Sequence, residues 1–170
     1  MPSHHPSKRQ KHSHCSYCGA PFPADAAWPR TCGACEMVSY LSPTPVAVLL
    51  LPVDTGVLVI RRGIAPHIGE LALPGGFIDH EEEWLTAAAR ELFEETGIRV
   101  DASGIRERRV ISAPGGILLI FGEAARIRSE DLPEFAPNHE VLERLVIHKP
   151  VPLAFELHAE VVAEFFARRG

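Results

Sequence analysis

The order of elements read along the sequence agrees with an α+β domain preceded by a small cysteine-rich module. Two observations carry this reading. Apolar, β-branched runs come first, then a helix-forming stretch, then further strand-like runs, then an amphipathic terminal segment. Ahead of them, all four cysteines fall in two Cys-x2-Cys pairs with thirteen residues between the pairs. A chain of 170 residues has room for one compact domain and such an appendage.

The totals narrow the class. Hydrophobic content of 46% with 23% charged residues is ordinary for a soluble globular protein. A net charge of −5 argues against wholesale binding to nucleic acid or to a membrane surface. The longest apolar run, Val46 to Leu51, is far short of the ~20 residues that span a bilayer. The polar, His-rich start contains no apolar signal region, so a cytoplasmic location is the default expectation.

Residues 1–14 carry Pro, Ser, His, Lys and Arg and are expected to form a disordered tail. Residues 15–39 follow as a zinc ribbon. Cys15, Cys18, Cys32 and Cys35 would each lend a sulfur to one ion, and Gly19 and Gly33, each directly after a Cys, would ease the knuckle turns. Four thiolates close a tetrahedral site and leave no position for substrate, so this Zn²⁺ is read as structural. Pro21, Pro23 and Pro29 keep the intervening segment out of helix. Arg30 alone does not make a basic surface with interleaved aromatics, so a nucleic-acid partner is not expected.

Residues 45–168 make the main domain. Val46 to Leu51 and Val57 to Arg62, separated by Asp54-Thr55-Gly56, predict a hairpin in the core sheet. Glu70 to Leu73 reads as a short strand ending in a Gly75-Gly76 turn. Strands are predicted at Arg106–Ser112, Gly116–Gly122 and Glu143–His148, with a polar loop from Ser129 to Asn138. Leu153 to Arg169 reads as a C-terminal helix.

The informative stretch is Gly76 to Ile98. From about Glu82 its residues favour helix, and Gly97 stands where a C-cap belongs. Leu85, Ala88, Ala89, Leu92 and Thr96 share one side at 100° per residue. Glu91, Glu94 and Glu95 share roughly the opposite side, where like charges and the macrodipole both weigh against them. A solvated acidic face helped by Arg90 is one reading. The other is a site for a hard divalent cation, which removes the repulsion and prefers carboxylate oxygen.

The same stretch resembles the Nudix box at every fixed position: Gly76, Glu82, Arg90, Glu91, Leu92, Glu94, Glu95, Gly97 and Ile98. Leu73-Pro74-Gly75-Gly76 resembles the usual lead-in. Leu71 departs from the Trp of many relatives, and Glu81 stands where Gly often precedes the box Glu. The resemblance implies the Nudix fold, a mixed β-sheet between helices, over about Pro45 to Phe166. With the ribbon, the chain is similar to the zinc-ribbon subgroup of NADH pyrophosphatases and FAD/ADP-ribose pyrophosphatases, and Leu153-Ala154-Phe155 resembles the latter.

The resemblance further implies hydrolysis of a nucleoside diphosphate linked to another moiety, with Mg²⁺ or Mn²⁺. Glu91 and Glu95 would be metal ligands, Glu94 a third, and the Gly76 carbonyl would join them. Arg90 and Glu82 would brace the loop against the helix. The general base is left open among the box glutamates and Glu134, Glu140 and Glu143. The Trp-containing stretch of NADH pyrophosphatases is missing at Arg108–Pro114, and Pro114 stands where ADP-ribose pyrophosphatases often carry proline. ADP-ribose or FAD is therefore favoured over NADH, with distal contacts expected from Arg109–Gly116 or Ser129–Glu140. A catalytically silent nucleotide-binding module is the alternative of another class, although the intact box argues against it. The partner is thus a small nucleotide, and the sequence leaves oligomeric state open, a homodimer included.

Overall fold

A computed structural model describes residues 11–168, and the chain divides into two units, Met1–Pro43 and Thr44–Gly170. Most of the expected disordered tail, residues 1–10, lies outside the described residues. His12 to His14 already belong to the ribbon's hydrogen-bond network. The Phe22 N–H donates to the Ser13 carbonyl at 2.9 Å, and His14 forms a bridge with Pro21.

In the first unit, β1 (Arg30–Thr31) pairs antiparallel with β2 (Val38–Ser39). The two cysteine knuckles repeat one pattern. Gly19 N–H donates to the Cys15 carbonyl and Glu36 N–H to the Cys32 carbonyl, both at 2.9 Å. The left-handed position after each pair is Gly19 (φ 75°) in the first and Glu36 (φ 61°) in the second. Gly33, expected to ease the second turn, is not left-handed; the turn needs that conformation after the second cysteine of a pair.

The second unit holds two sheets. One is mixed, in the order β7 (Gly75–Phe77), β3 (Thr44–Leu50), β9 (Ile117–Glu123), β8 (Arg106–Ala113). Strand β3 runs parallel to β9 and antiparallel to β7. The other sheet has β5 (Gly56–Arg62) between β10 (Val141–Ile147) on one side and β4 (Pro52–Val53) with β6 (Leu71–Ala72) on the other. Helices α1 (Trp84–Thr96) and α2 (Glu156–Ala167) complete the unit.

Strand β3 shows why the mixed sheet lies between helices. Its side chains alternate with period two. Ala47 and Leu49 pack with Ala87, Ala88 and Leu92 of α1. Val48 and Leu50 pack with Val161, Val162 and Phe165 of α2. A strand covered on both faces reads as one continuous apolar run, which is how Val46–Leu51 looks in the sequence.

Two expectations are corrected. The runs Val46–Leu51 and Val57–Arg62 do not form one hairpin, because the chain leaves the mixed sheet at Leu50 and enters the second at Pro52. Only the two-residue β4 folds back on β5 through Asp54 and Thr55. Gly75-Gly76 is not a turn either. The segment pairs with β3, Gly75 against Val48 and Gly76 against Ala47. Glycine stands at Gly76 for a different reason, given below.

The remaining elements match their expected positions within a few residues. Helix α1 starts two residues later than expected and ends at Gly97, which is left-handed (φ 75°). A 3-10 turn at Ser129–Asp131 opens the polar loop. Among the described residues, no helix is long and apolar enough to cross a membrane.

Candidate metal and catalytic site

Helix α1 presents the acidic residues on the edge that meets β7. Glu91 is 14% exposed in its side chain, and Glu95 is 8% exposed overall. Glu91 and Glu95 therefore do not stand on a solvated face, as a helix wheel alone would allow. A Cβ on Gly76 would stand 2.5 Å from both Glu91 Oε atoms, so only glycine lets β7 approach that carboxylate.

Glu95 Oε2 accepts the Gly75 N–H at 2.9 Å. Burial pushes the Glu95 carboxyl up to about 8. The Gly75 N–H opposes the rise, while the charges of Glu91 and Glu140 add to it. Burial likewise raises Glu91, against the pull of Arg90. Two carboxylates held in a dry, mutually repulsive setting favour a cation beside them.

Arg90 organises the opposite side. Its guanidinium donates to Glu82 through Nε and Nη2, both at 2.9 Å. Its Nη1 reaches Glu91 Oε1 at 2.8 Å and Glu94 Oε2 at 3.1 Å, and Nη2 also reaches the Phe77 carbonyl at 3.0 Å. Glu82 in turn accepts the Asp79 N–H at 3.0 Å, which shapes the loop between β7 and α1. Arg90 thus draws Glu82, Glu91 and Glu94 toward itself while Glu95 turns to Gly75. Glu94 is the outermost of the box carboxylates, 55% exposed in its side chain. Among the described residues, the box carboxylates do not converge as the cysteines do.

Of the later acids, Glu140 is the one whose charge acts on both Glu91 and Glu95. Glu143 is paired with Arg61 at 2.8 Å on β10. Glu134 lines a groove of about 310 Å³ with Phe93, Glu94, Glu95, Phe135 and Asn138. The Ser129–Glu140 loop therefore borders the box. The Arg109–Gly116 segment does not line this groove, and Arg109 pairs instead with Glu160 and Glu164 of α2.

Three supporting residues escape a reading of the sequence. Arg144 donates to the Thr96 carbonyl at the end of α1 and to the Pro133 carbonyl in the loop, at 2.7 and 2.5 Å. Asn138 Oδ1 accepts the Glu140 and Val141 N–H groups, both at 2.8 Å. His158 is 6% exposed, and its Nδ1 accepts the Leu73 N–H at 3.3 Å. Only Asn138, with partners two and three residues away, leaves a local signal.

In the first unit the four cysteine sulfurs lie within 4.8 Å of one another. Cys15 and Cys35 sulfurs are 3.7 Å apart, and Cys18 and Cys32 sulfurs 3.6 Å. Backbone N–H groups of Cys18 and Tyr17 lower the Cys15 thiol to about 6, and those of Ala34 and Cys35 lower Cys32. The neighbouring sulfurs and burial push Cys35 the other way, up to about 12. The four thiols thus compete for charge, and a single soft or borderline cation at this spacing relieves that competition. The cluster is consistent with a zinc ribbon.

Comparison with known proteins agrees with the box. Residues 42–119 match the NUDIX domain family. The NAD-capped RNA hydrolase NudC of Edwardsiella ictaluri is 27% identical over 154 residues, covering 81% of this chain and 60% of that protein. The chain thus spans about three fifths of such a relative's length. A NUDIX hydrolase from Nitrosomonas europaea superposes with a TM-score of 0.68 at 25% identity, covering 92% of both chains. A bifunctional NMN adenylyltransferase/ADP ribose pyrophosphatase from Francisella tularensis, complexed with AMP and a Mn ion, shares the fold. Its TM-score is 0.64 at 22% identity, over 77% of this chain and 43% of that one. With a NUDIX domain match over residues 42–119, a Nudix hydrolase as structural neighbour and the complete box in place on α1, the chain carries a NUDIX domain and is similar to Nudix hydrolases.

Proposed function

We propose that this protein is a divalent-metal-dependent hydrolase of nucleoside diphosphates linked to a second moiety, with ADP-ribose or FAD favoured and AMP released. One observation carries the reading: Glu91 sits against Gly76, where no side chain intervenes, beside the buried Glu95. The donor set is all oxygen and fits Mg²⁺ or Mn²⁺. Glu91 and Glu95 would hold the ion, with Glu94 and the Gly76 carbonyl as further donors. When bound, it would supply charge neutralisation at the diphosphate and a more acidic water.

The protein's own groups do the rest. Arg90 and Glu82 fix the loop that carries Gly76. Glu140 is our candidate for the general base, because its charge reaches the Glu91–Glu95 pair. The Ser129–Glu140 loop is the proposed source of contacts to the distal moiety, because it walls the groove beside Glu94 and Glu95. The four-cysteine cluster would hold a structural Zn²⁺, and reduced thiols of this kind suit a cytoplasmic setting.

A second reading is hydrolysis of NADH, which the resemblance to the zinc-ribbon subgroup also allows; the 27% identical relative is named as a hydrolase of NAD-capped RNA. The diphosphate chemistry is the same in both, so the box cannot separate them. A hydrolysis screen over ADP-ribose, FAD and NADH, with products identified, tests the choice through kcat/KM. The favoured reading predicts a higher value for ADP-ribose or FAD. The highest value for NADH would replace it with the second reading, and no cleavage of any would overturn both.

A further inference from the structure

We propose that Arg108, Arg126 and Arg168 form a second anion site that takes a phosphate group, away from the Nudix box. With Glu123 and Phe165 they line a cavity of about 250 Å³. None of these residues belongs to the box or to the groove beside Glu94. Glu123 ends β9 and pairs with Leu50, whereas Gly76 pairs with Ala47. The walls come from the β8–β9 pair, the segment after β9 and the end of α2.

The fold aims each guanidinium. The β8–β9 register shifts between Glu107 and Arg109, so Arg108 is the extra residue of a bulge. Bulges redirect a side chain out of the regular alternation. Arg108 Nε donates to Glu123 Oε2 at 2.7 Å. Arg168, at the C-terminal end of α2, approaches the same oxygen at 3.5 Å. Arg126 donates from Nη1 to the Asp54 carbonyl, which fixes one edge of the guanidinium and leaves its other donors available, and among the described residues it pairs with no carboxylate. Phe165, 3% exposed, supplies an apolar wall.

Charge and size then select the ligand. Three guanidiniums face one carboxylate, a formal excess of two positive charges in a chain whose net charge is −5. A phosphate dianion balances that excess, and a single carboxylate ligand does not. Each guanidinium presents its donors in a planar fork that matches phosphate oxygens. The cavity is smaller than the roughly 300–1,000 Å³ that houses a drug-sized ligand. It suits inorganic phosphate or the phosphate end of a monoester, with the remainder of the molecule in solvent.

The test is a titration of the full-length, ¹⁵N-labelled protein with inorganic phosphate and, separately, with glycerol 3-phosphate, followed by amide shifts. Saturable shifts confined to residues around Arg108, Glu123 and Arg126 are expected for at least one of the two. Binding of only one identifies which source of the group the site accepts. Arg126→Gln should weaken binding roughly 10-fold, the loss of about one charge-assisted hydrogen bond. Glu123→Gln removes the competing carboxylate and should tighten binding, an effect opposite in sign that general damage to the fold does not produce. Glu95→Gln, at the box, should leave it unchanged. Non-saturable shifts, shifts centred on α1, or affinities indifferent to Arg126→Gln and Glu123→Gln would overturn the proposal.

Discussion

Arg90 and Glu82, eight residues apart, meet through a two-pronged ion pair in which Nε and Nη2 each reach one carboxylate oxygen at 2.9 Å. Both side chains are largely shielded, at 27% and 13% exposure. The pair ties the start of the box to the middle of α1, and the third prong to the Phe77 carbonyl ties in β7. Arg90→Lys keeps the charge and loses the fork. It should cost about 1–3 kcal/mol and lower turnover, since Gly76 would no longer be held against Glu91. Thermal unfolding with a parallel activity assay checks this, and an unchanged Tm would show the fork to be idle. The Arg90 hydrogen bond holds the Glu82 carboxyl below its ordinary value. The pair's contribution is therefore present above the ordinary carboxylate range and is lost as pH falls through the lower, folded-state value.

The cysteine cluster predicts about one tightly bound zinc per chain. Elemental analysis of protein purified without added metal should find it. Cys32→Ser should release it and unfold the first unit, because Cys32 is buried and anchors the Glu36 turn. Zinc-free, folded protein with four titratable thiols would contradict this assignment.

Glu95 gives a prediction about pH. Its carboxyl is raised by burial from the ordinary 4.5 to about 8. The folded state therefore prefers the neutral form, and ionisation penalises folding increasingly as pH rises from about 4.5 to 8. In metal-free protein, Glu95→Gln should gain stability over the wild type across that window and stay level above it. Saturating Mg²⁺ should shrink or reverse the difference. Denaturation curves at several pH values decide the matter, and a pH-independent difference would remove the buried charge as its cause.

His158 predicts the opposite slope. Burial, with Arg62 nearby, lowers its pKa from 6.5 to about 3. Its Nδ1 must stay unprotonated to accept the Leu73 N–H, and Phe121 and Phe155 flank the ring at 5.5 and 5.0 Å. Its contribution is complete above about 6.5 and is lost as pH falls toward 3. His158→Gln should be less stable at neutral pH and show a flatter acid limb. An identical acid limb in both proteins would point to other groups.

The acidic face of α1 and its end were legible because helix spacing fixes which side chains share a face and Gly97 caps as glycine caps do, while the box itself came from the resemblance. The cysteine cluster was legible because two Cys-x2-Cys turns need only local geometry. What the sequence hides is burial and long-range pairing. The helix wheel put Glu95 on a polar face, while β7 covers that face through Gly75 and Gly76. Val46–Leu51 and Val57–Arg62 look alike as apolar runs, and nothing local says that the chain changes sheets at Leu51. Arg144 and His158 act on partners 48 and 85 residues away, at Thr96 and Leu73, so no window of sequence contains both ends.

Whether Glu95 holds the catalytic ion is decided by the turnover of Glu95→Gln at saturating Mg²⁺, on whichever nucleoside diphosphate derivative the wild type cleaves best. The substitution keeps the side chain's shape and removes one charge from the proposed ion site. The variant should fold, and its kcat should fall roughly 10²-fold or more. Wild-type kcat in the variant would contradict a metal-binding role for Glu95 and take it out of the ligand set.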